Sequence, residues 1–336
     1  MEDIFSKMPT GYRYDQLLIR PRLSYIDSRQ DVDISTEILP GVVLKIPIIA
    51  SPMLTISESK MCIKMHELGG LGILHRFAEL DYLEQEIRTI ATQVPRSHIA
   101  FATGVKEDDK DLVKRLTPYA NIICIDVNIG EHIKAINMTR YLRDNYPDHK
   151  IIAGNVSTYE GAKRLCEAGA DCIRATNGGG SACTTLATTG VGIPTATSLH
   201  ECVMAAQCYD KTVVSCGGHC NSGTMVVALA LGAEAVIVGG LLAGTSACPG
   251  HAFFCDPDTH EYKARYMGMA SRAAQDARGG LKPGTAPEGI SKIVPIGPKT
   301  SVRINELVGG IRSGLSLAGC KNVSELQMTA EFIIKA

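Results

Sequence analysis

Short apolar runs recur along this chain with a helical pattern after nearly every one, and glycine clusters stand where several of the runs end. Residues 43–50, 70–74, 98–103, 121–127, 150–156, 171–175, 212–215 and 235–238 read as strands. Between and after them, 57–66, 80–91, 108–116, 131–145, a helix capped by Ser157 and stopped by Gly169, 198–207, 222–231 and 304–317 read as helices. Continuous apolar strands alternating with helices are the signature of parallel strands covered on their outer face. About eight such units closing on themselves give a (β/α)8 TIM barrel, whose site lies at the C-terminal ends of the strands. The clusters Ala153-Gly154-Asn155, Gly178-Gly179-Gly180, Cys216-Gly217-Gly218 and Val238-Gly239-Gly240 sit where that rule wants them. A doubly wound open sheet fits the alternation nearly as well, but no G-x-G-x-x-G opens an early βαβ unit.

We therefore expect one barrel domain over residues 1–336, with 1–40 as an N-terminal extension. The alternation breaks at 247–300, which is rich in proline and glycine. A long excursion between the last strand and the last helix is commonly a functional flap. Within it Tyr266-Met267-Gly268-Met269-Ala270-Ser271 is apolar enough to line a pocket, whereas 256–262 reads as a surface loop. A net charge of −1 excludes a nucleic-acid binder that works by bulk positive charge, and no apolar run reaches the length of a membrane span. Twelve scattered cysteines without a secretory signal or a zinc-type spacing point to reduced thiols and a cytoplasmic setting. Eleven of them read as core filler.

The twelfth is Cys183, in Asn177-Gly178-Gly179-Gly180-Ser181-Ala182-Cys183-Thr184-Thr185. Consecutive glycines bring backbone N–H and C=O groups close to a ligand, and a run of N–H groups suits a phosphate. A cysteine becomes a nucleophile as its thiolate, which nearby donors and hydroxyls favour. A buried cysteine in a glycine-rich bend accounts for this stretch equally well.

Taken together, Leu17-Leu18-Ile19-Arg20-Pro21, Ile49-Ala50-Ser51-Pro52-Met53, Ala153-Gly154-Asn155-Val156, the 178–185 stretch, Gly239-Gly240-Leu241-Leu242-Ala243-Gly244, residues 266–271, Pro287-Glu288-Gly289 and Gly309-Gly310-Ile311-Arg312-Ser313 resemble the IMP dehydrogenase/GMP reductase family over about residues 12–325. The resemblance implies a TIM barrel, a homotetramer and a purine 5′-monophosphate substrate. It implies that Cys183 attacks purine C2, with Thr185 and Glu288 handling protons. Ser181, Gly218, Gly239 and Gly240 would hold the phosphate, and Ser51, Met53, Cys216, Gly217, Gly268, Met269 and Gly289 would complete the nucleotide pocket. Arg76, Asp126 and Gly178 would meet NADPH or NADH, and Ser28-Arg29 offers by position and charge a 2′-phosphate site. Carbonyls of Gly178, Gly180 and Cys183 would hold a potassium ion.

Within that family the chain sits closer to the reductase branch, which turns GMP into IMP and ammonia. The dehydrogenase branch, IMP to XMP with NAD, takes its water base from an Arg-Tyr pair on the flap. Here 275–288 contains none, and Gly279-Gly280 precedes Glu288 with reductase-like spacing. The chain also runs from Gly70 to Gly104 without a regulatory insertion, whereas Ser51-Pro52-Met53 is dehydrogenase-like. Cys216 stands where the family carries the ribose-binding Asp, Leu54 where an Asp follows Met53, and Leu186 where an Arg follows the threonines. A 2′-deoxynucleotide such as dGMP would not miss the first of these. The dehydrogenase activity and a catalytically decayed nucleotide-binding barrel are the alternatives.

Overall fold

The computed structural model describes residues 8–257 and 259–335. After a short strand β1 (Leu17–Ile19) and a hairpin of β2 (Thr36–Leu39) and β3 (Val42–Leu44), the chain enters β4 (Ile48–Ala50) and α1 (Ser59–Glu67). It continues through β5 (Leu71–Leu74), α2 (Leu80–Ala91), β6 (Ala100–Thr103), α3 (Asp109–Leu116), β7 (Ile122–Asp126), α4 (Ile133–Asn145), β8 (Lys150–Val156) and α5 (Tyr159–Glu167). Then come β9 (Cys172–Ala175), the short α6 (Thr185–Thr189), α7 (Thr195–Gln207), β10 (Thr212–Cys216), α8 (Ser222–Ala230) and β11 (Ala235–Val238). Strands β4 to β11 form a closed, all-parallel barrel in which β11 pairs back onto β4. The fold is a TIM barrel.

Successive side chains of a strand point to opposite faces, so every second residue enters the barrel. Ile122 and Cys124 of β7, Val214 of β10, Ala235 and Ile237 of β11 and Ile49 of β4 form one buried inner cluster. Ile38, Leu39, Val42 and Leu44 of the β2–β3 hairpin join it and plug the N-terminal mouth. The expected strand 43–50 is therefore two elements. Pro47 separates them, and Val42–Leu44 pairs with Thr36–Leu39 instead of entering the barrel. Apolar content alone could not place that break.

Other boundaries also move. Helix α5 is capped by Thr158, whose hydroxyl accepts from Gly161 N at 2.9 Å, and not by Ser157, which is buried. Cys208, Cys220 and Cys255 are exposed, so these three are not core filler. The 247–300 stretch holds a three-stranded antiparallel sheet of β12 (Phe253–Cys255), β13 (Tyr262–Met267) and β14 (Ser291–Pro295), with α9 (Arg272–Asp276) between the last two. Helix α10 (Thr300–Leu317) follows, then α11 (Val323–Thr329) and β15 (Phe332–Ile334), which pairs with β1. Among the described residues no helix is long and apolar enough to cross a membrane.

Candidate active site

At the C-terminal mouth the inward-facing alternation turns polar. One step beyond Cys124, Cys172 and Val214 come Asp126, Arg174 and Cys216. Arg174 is 4% exposed, forms a close ion pair with Asp126, and donates from Nε to Cys216 Sγ at 3.3 Å. Burial works against its charge, but the facing Cys216 and Asp126 more than offset that and keep the guanidinium protonated. Above this floor lies a cavity of about 280 Å³, walled by Ser51, Met53, Asn128, Asn155, the 176–180 loop, Cys183, Gly239, Tyr266, Met269 and Glu288.

The cysteine loop is held in a strained frame. Thr176 sits at φ 77°, unusual for a β-branched residue, and two contacts fix it: its hydroxyl donates to the Cys216 carbonyl, and its own carbonyl accepts from Asn155 Nδ2. Gly179 then packs so closely that a Cβ there would come within 2.6 Å of Thr195 Cγ2 and 2.9 Å of Gly218 N. Only glycine lets Gly218 N reach the Gly179 carbonyl at 2.8 Å.

Cys183 Sγ lies 3.2 Å from Thr185 Oγ1. Asn128 Nδ2 donates both to Thr185 Oγ1 (3.1 Å) and to Glu288 Oε2 (2.8 Å). A continuous polar chain thus runs from the thiol to a carboxylate 105 positions later in sequence (288 − 183). Backbone pairing brings Glu288 there: its carbonyl accepts from Thr184 N, its N–H donates to Ala270 O, and Ile290 N donates to Ala182 O. The segment around Glu288 is in effect a strand laid between the cysteine loop and residues 268–271, with Gly289 bridging both Cys183 and Ser271.

Beside this chain, Ser181 and Tyr266 face Gly239 and Gly240. A Cβ at Gly240 would come within 2.8 Å of Ser181 Oγ, and one at Gly239 within 3.0 Å of Tyr266 OH. Burial pushes the Tyr266 phenol up to about 12, so it stays a neutral donor. A glycine pair, a serine and a tyrosine around one small space suit an anion.

A larger groove adjoins the cavity and shares Arg76, Phe77, Met269, Ala270 and Arg278 with it. Arg76 and Arg278 lie over the Phe77 ring at 4.5 and 4.6 Å from its centroid. Arg76 is tied to Asp126 by its carbonyl (3.0 Å) and its carboxylate (3.6 Å). Arg278 donates to the backbone carbonyls of Ala274 (2.7 Å) and Met269 (2.5 Å) and has no carboxylate partner among the described residues.

Comparison with known proteins decides what this arrangement belongs to. The IMP dehydrogenase / GMP reductase domain matches residues 11–336. The chain belongs to the IMP dehydrogenase/GMP reductase family. It is 32% identical to the GMP reductase of Onchocerca volvulus over 328 residues, covering 95% of this chain and 90% of that one. With the GMP reductase of Buchnera aphidicola it shares 34% identity over 331 residues, covering 95% and 92%. The inosine-5′-monophosphate dehydrogenase of Aquifex aeolicus is 38% identical over 247 residues, which cover 72% of this chain and half of that protein.

Most residues singled out from the sequence of this family member converge on the mouth. Cys183, Thr185 and Glu288 share one polar chain. Ser51, Met53, Cys216, Gly217, Gly239, Gly268 and Met269 line the cavity, as do Gly178 and Gly180. Ser28 and Arg29 do not join them. Ser28 caps a short 3-10 turn, and Arg29 donates to Ser313 on α10 at 2.9 Å, away from both cavity and groove. Asn128, Arg174, Phe77 and Arg278 were not anticipated. Arg174 was readable as the inward partner of Cys172 two positions earlier, and Asn128 as a polar residue just past a strand end. Nothing local marks Phe77 or Arg278.

Proposed function

We propose that the protein reduces a guanine 5′-monophosphate to the hypoxanthine nucleotide and ammonia, with NADPH as hydride source. The observation that carries this reading is the Cys183–Thr185–Asn128–Glu288 chain beside a four-donor anion site. With the phosphate at Ser181, Gly239, Gly240 and Tyr266, the base extends toward Cys183. The thiolate adds to C2, the 2-amino group takes a proton and departs as ammonia, and a thioimidate on Cys183 results. Thr185 is the near proton carrier and Glu288 the more distant acid and base; Asn128, whose amide donates to both, holds the two in place and carries no proton itself.

Hydride delivery at C2 with release of the Cys183 thiolate is the chemistry that bound NADPH supplies. The groove fits such a cofactor: Arg278 has no carboxylate partner among the described residues, and Lys106 and Lys282 line the same groove. These cations would hold phosphates, and Asp126 and Arg76 would meet the inner end. Carbonyls of Gly178, Gly180 and Cys183 would hold potassium, since Gly180 O spends one lone pair on Cys183 N and keeps another.

The match to reductases along nearly their whole length and the absence of an Arg-Tyr pair at 275–288 favour reduction over IMP oxidation. Cys216 favours a second refinement. It stands on the floor under the sugar, already receives Arg174 Nε, and is a poor acceptor for a diol, where charge-assisted bonds contribute roughly 1.5–3 kcal/mol each. A 2′-deoxynucleotide forgoes less there. The test is absorbance at the reduced-nicotinamide band with potassium present, offering GMP or dGMP with NADPH and IMP or dIMP with NAD. Loss of absorbance with ammonia release supports the reductase, and a higher kcat/KM for dGMP supports the deoxy refinement. A gain with IMP makes it a dehydrogenase, and no change in any arm makes it a binding protein.

A further inference from the structure

A second cavity lies on the outside of the barrel, under the β1–β15 ribbon and between α7 and α8. Its volume is about 520 Å³, within the range of small-molecule sites. None of its lining residues belongs to the catalytic cavity or the adjoining groove. Leu17, Val203, Val213, Leu231 and Phe332 form the apolar part of its lining, with Thr197, His200 and Gln207 among the polar part. Glu234, just before β11, is the carboxylate among them, and no Lys, Arg or His lies within ion-pair distance of it among the described residues. Lys211 lines the same cavity, but its ammonium lies 3.8 Å from Asp171. Gln327, the neighbouring amide, donates to the Ala233 carbonyl at 3.3 Å. Burial, with repulsion from Glu37, pushes the Glu234 carboxyl up to about 7 against the opposing effect of a hydrogen bond from the Gln327 side chain. An acid whose neighbour is a neutral amide still lacks a counter-cation among the described residues.

We infer that this cavity is a ligand site for a compact cation with a flat apolar body, its amidine or amine seated on Glu234. An amidinium offers two parallel N–H donors to one carboxylate, the strongest pairing available to that group, and its ring replaces water against the apolar walls. A carboxylate ligand would face Glu234 itself. A neutral amide would keep the ring contacts and lose the charge.

Benzamidine, benzamide and benzoate share one ring and separate these terms. In protein labelled at the methionine methyl groups, Met204 at the cavity rim reports binding there, and Met53 and Met269 report on the catalytic cavity. Millimolar benzamidine is expected to shift the Met204 resonance, assigned with Met204→Leu, and to leave Met53 and Met269 in place. Its affinity should exceed that of benzamide about tenfold, and Glu234→Gln should remove the preference. Equal binding of the three compounds, a preference that survives Glu234→Gln, or shifts confined to Met53 and Met269 would each overturn the assignment. The wild-type titration alone decides it if Glu234→Gln does not fold.

Discussion

The two mouths of this barrel have opposite character. At the N-terminal mouth Ile38, Leu39, Val42 and Leu44 close the interior with buried apolar side chains. At the C-terminal mouth the last inward positions of β7, β9 and β10 carry Asp126, Arg174 and Cys216, and the covering loops carry strained or left-handed residues such as Thr176 and Gly218. One end contributes stability and the other uses some of it to hold chemistry. The difference arises from what covers each end: an apolar hairpin at one, and polar last inward residues of the barrel strands at the other.

The contrast can be broken at either end. Cys183→Ala is expected to abolish turnover, by more than about 10⁴-fold, while urea unfolding stays within about 1 kcal/mol of wild type; a variant that kept its rate would remove the nucleophile from the scheme. At the other mouth Ile38→Ala should do the reverse. It should lower stability by about 2–5 kcal/mol in denaturant titration with kcat unchanged, and a lost rate in a folded protein would tie the two ends together.

Asn128→Ala removes the donor that positions Thr185 and Glu288 while leaving both of those residues. It should lower kcat by roughly 100-fold with little change in KM for the nucleotide, whereas a change confined to KM would make Asn128 a binding residue.

The smallest effect concerns His219, in the loop after β10. It stacks on Tyr14 at 5.1 Å, approaches Ser215 Oγ at 3.0 Å, and burial lowers its pKa to about 4. Because the unfolded chain binds that proton near pH 6.5, the neutral imidazole's stabilisation is fully present above that pH and is lost as pH falls toward 4. By about pH 5 the loss should be roughly 2 kcal/mol, read as a fall in the urea midpoint that His219→Gln flattens. An identical pH profile in that variant would remove His219 from the account.

Barrel architecture was legible because a continuous apolar run and its following helix are local patterns repeated about eight times. Strand β11 and helix α2 begin and end where the pattern puts them. The split at Pro47 was not legible, since 43–50 is apolar on both sides of it and only pairing distinguishes hairpin from barrel. The excursion at 247–300 was readable as a break in the alternation. Its three-stranded sheet was not, because β13 and β14 pair across a long intervening segment.

The same division runs through the candidate site. By itself the sequence determined which chemistry the chain can offer: a thiol in a glycine loop, two hydroxyls after it, and an acid in a distant turn-rich stretch. Only the tertiary structure decided that Asn128 joins Thr185 to Glu288, that Arg174 serves both Asp126 and Cys216, and that Ser28 and Arg29 stand elsewhere. The physical reason is range. Strand and helix patterns are written in neighbours two to four positions apart, whereas these contacts join residues tens to hundreds of positions apart that meet only once the barrel has closed.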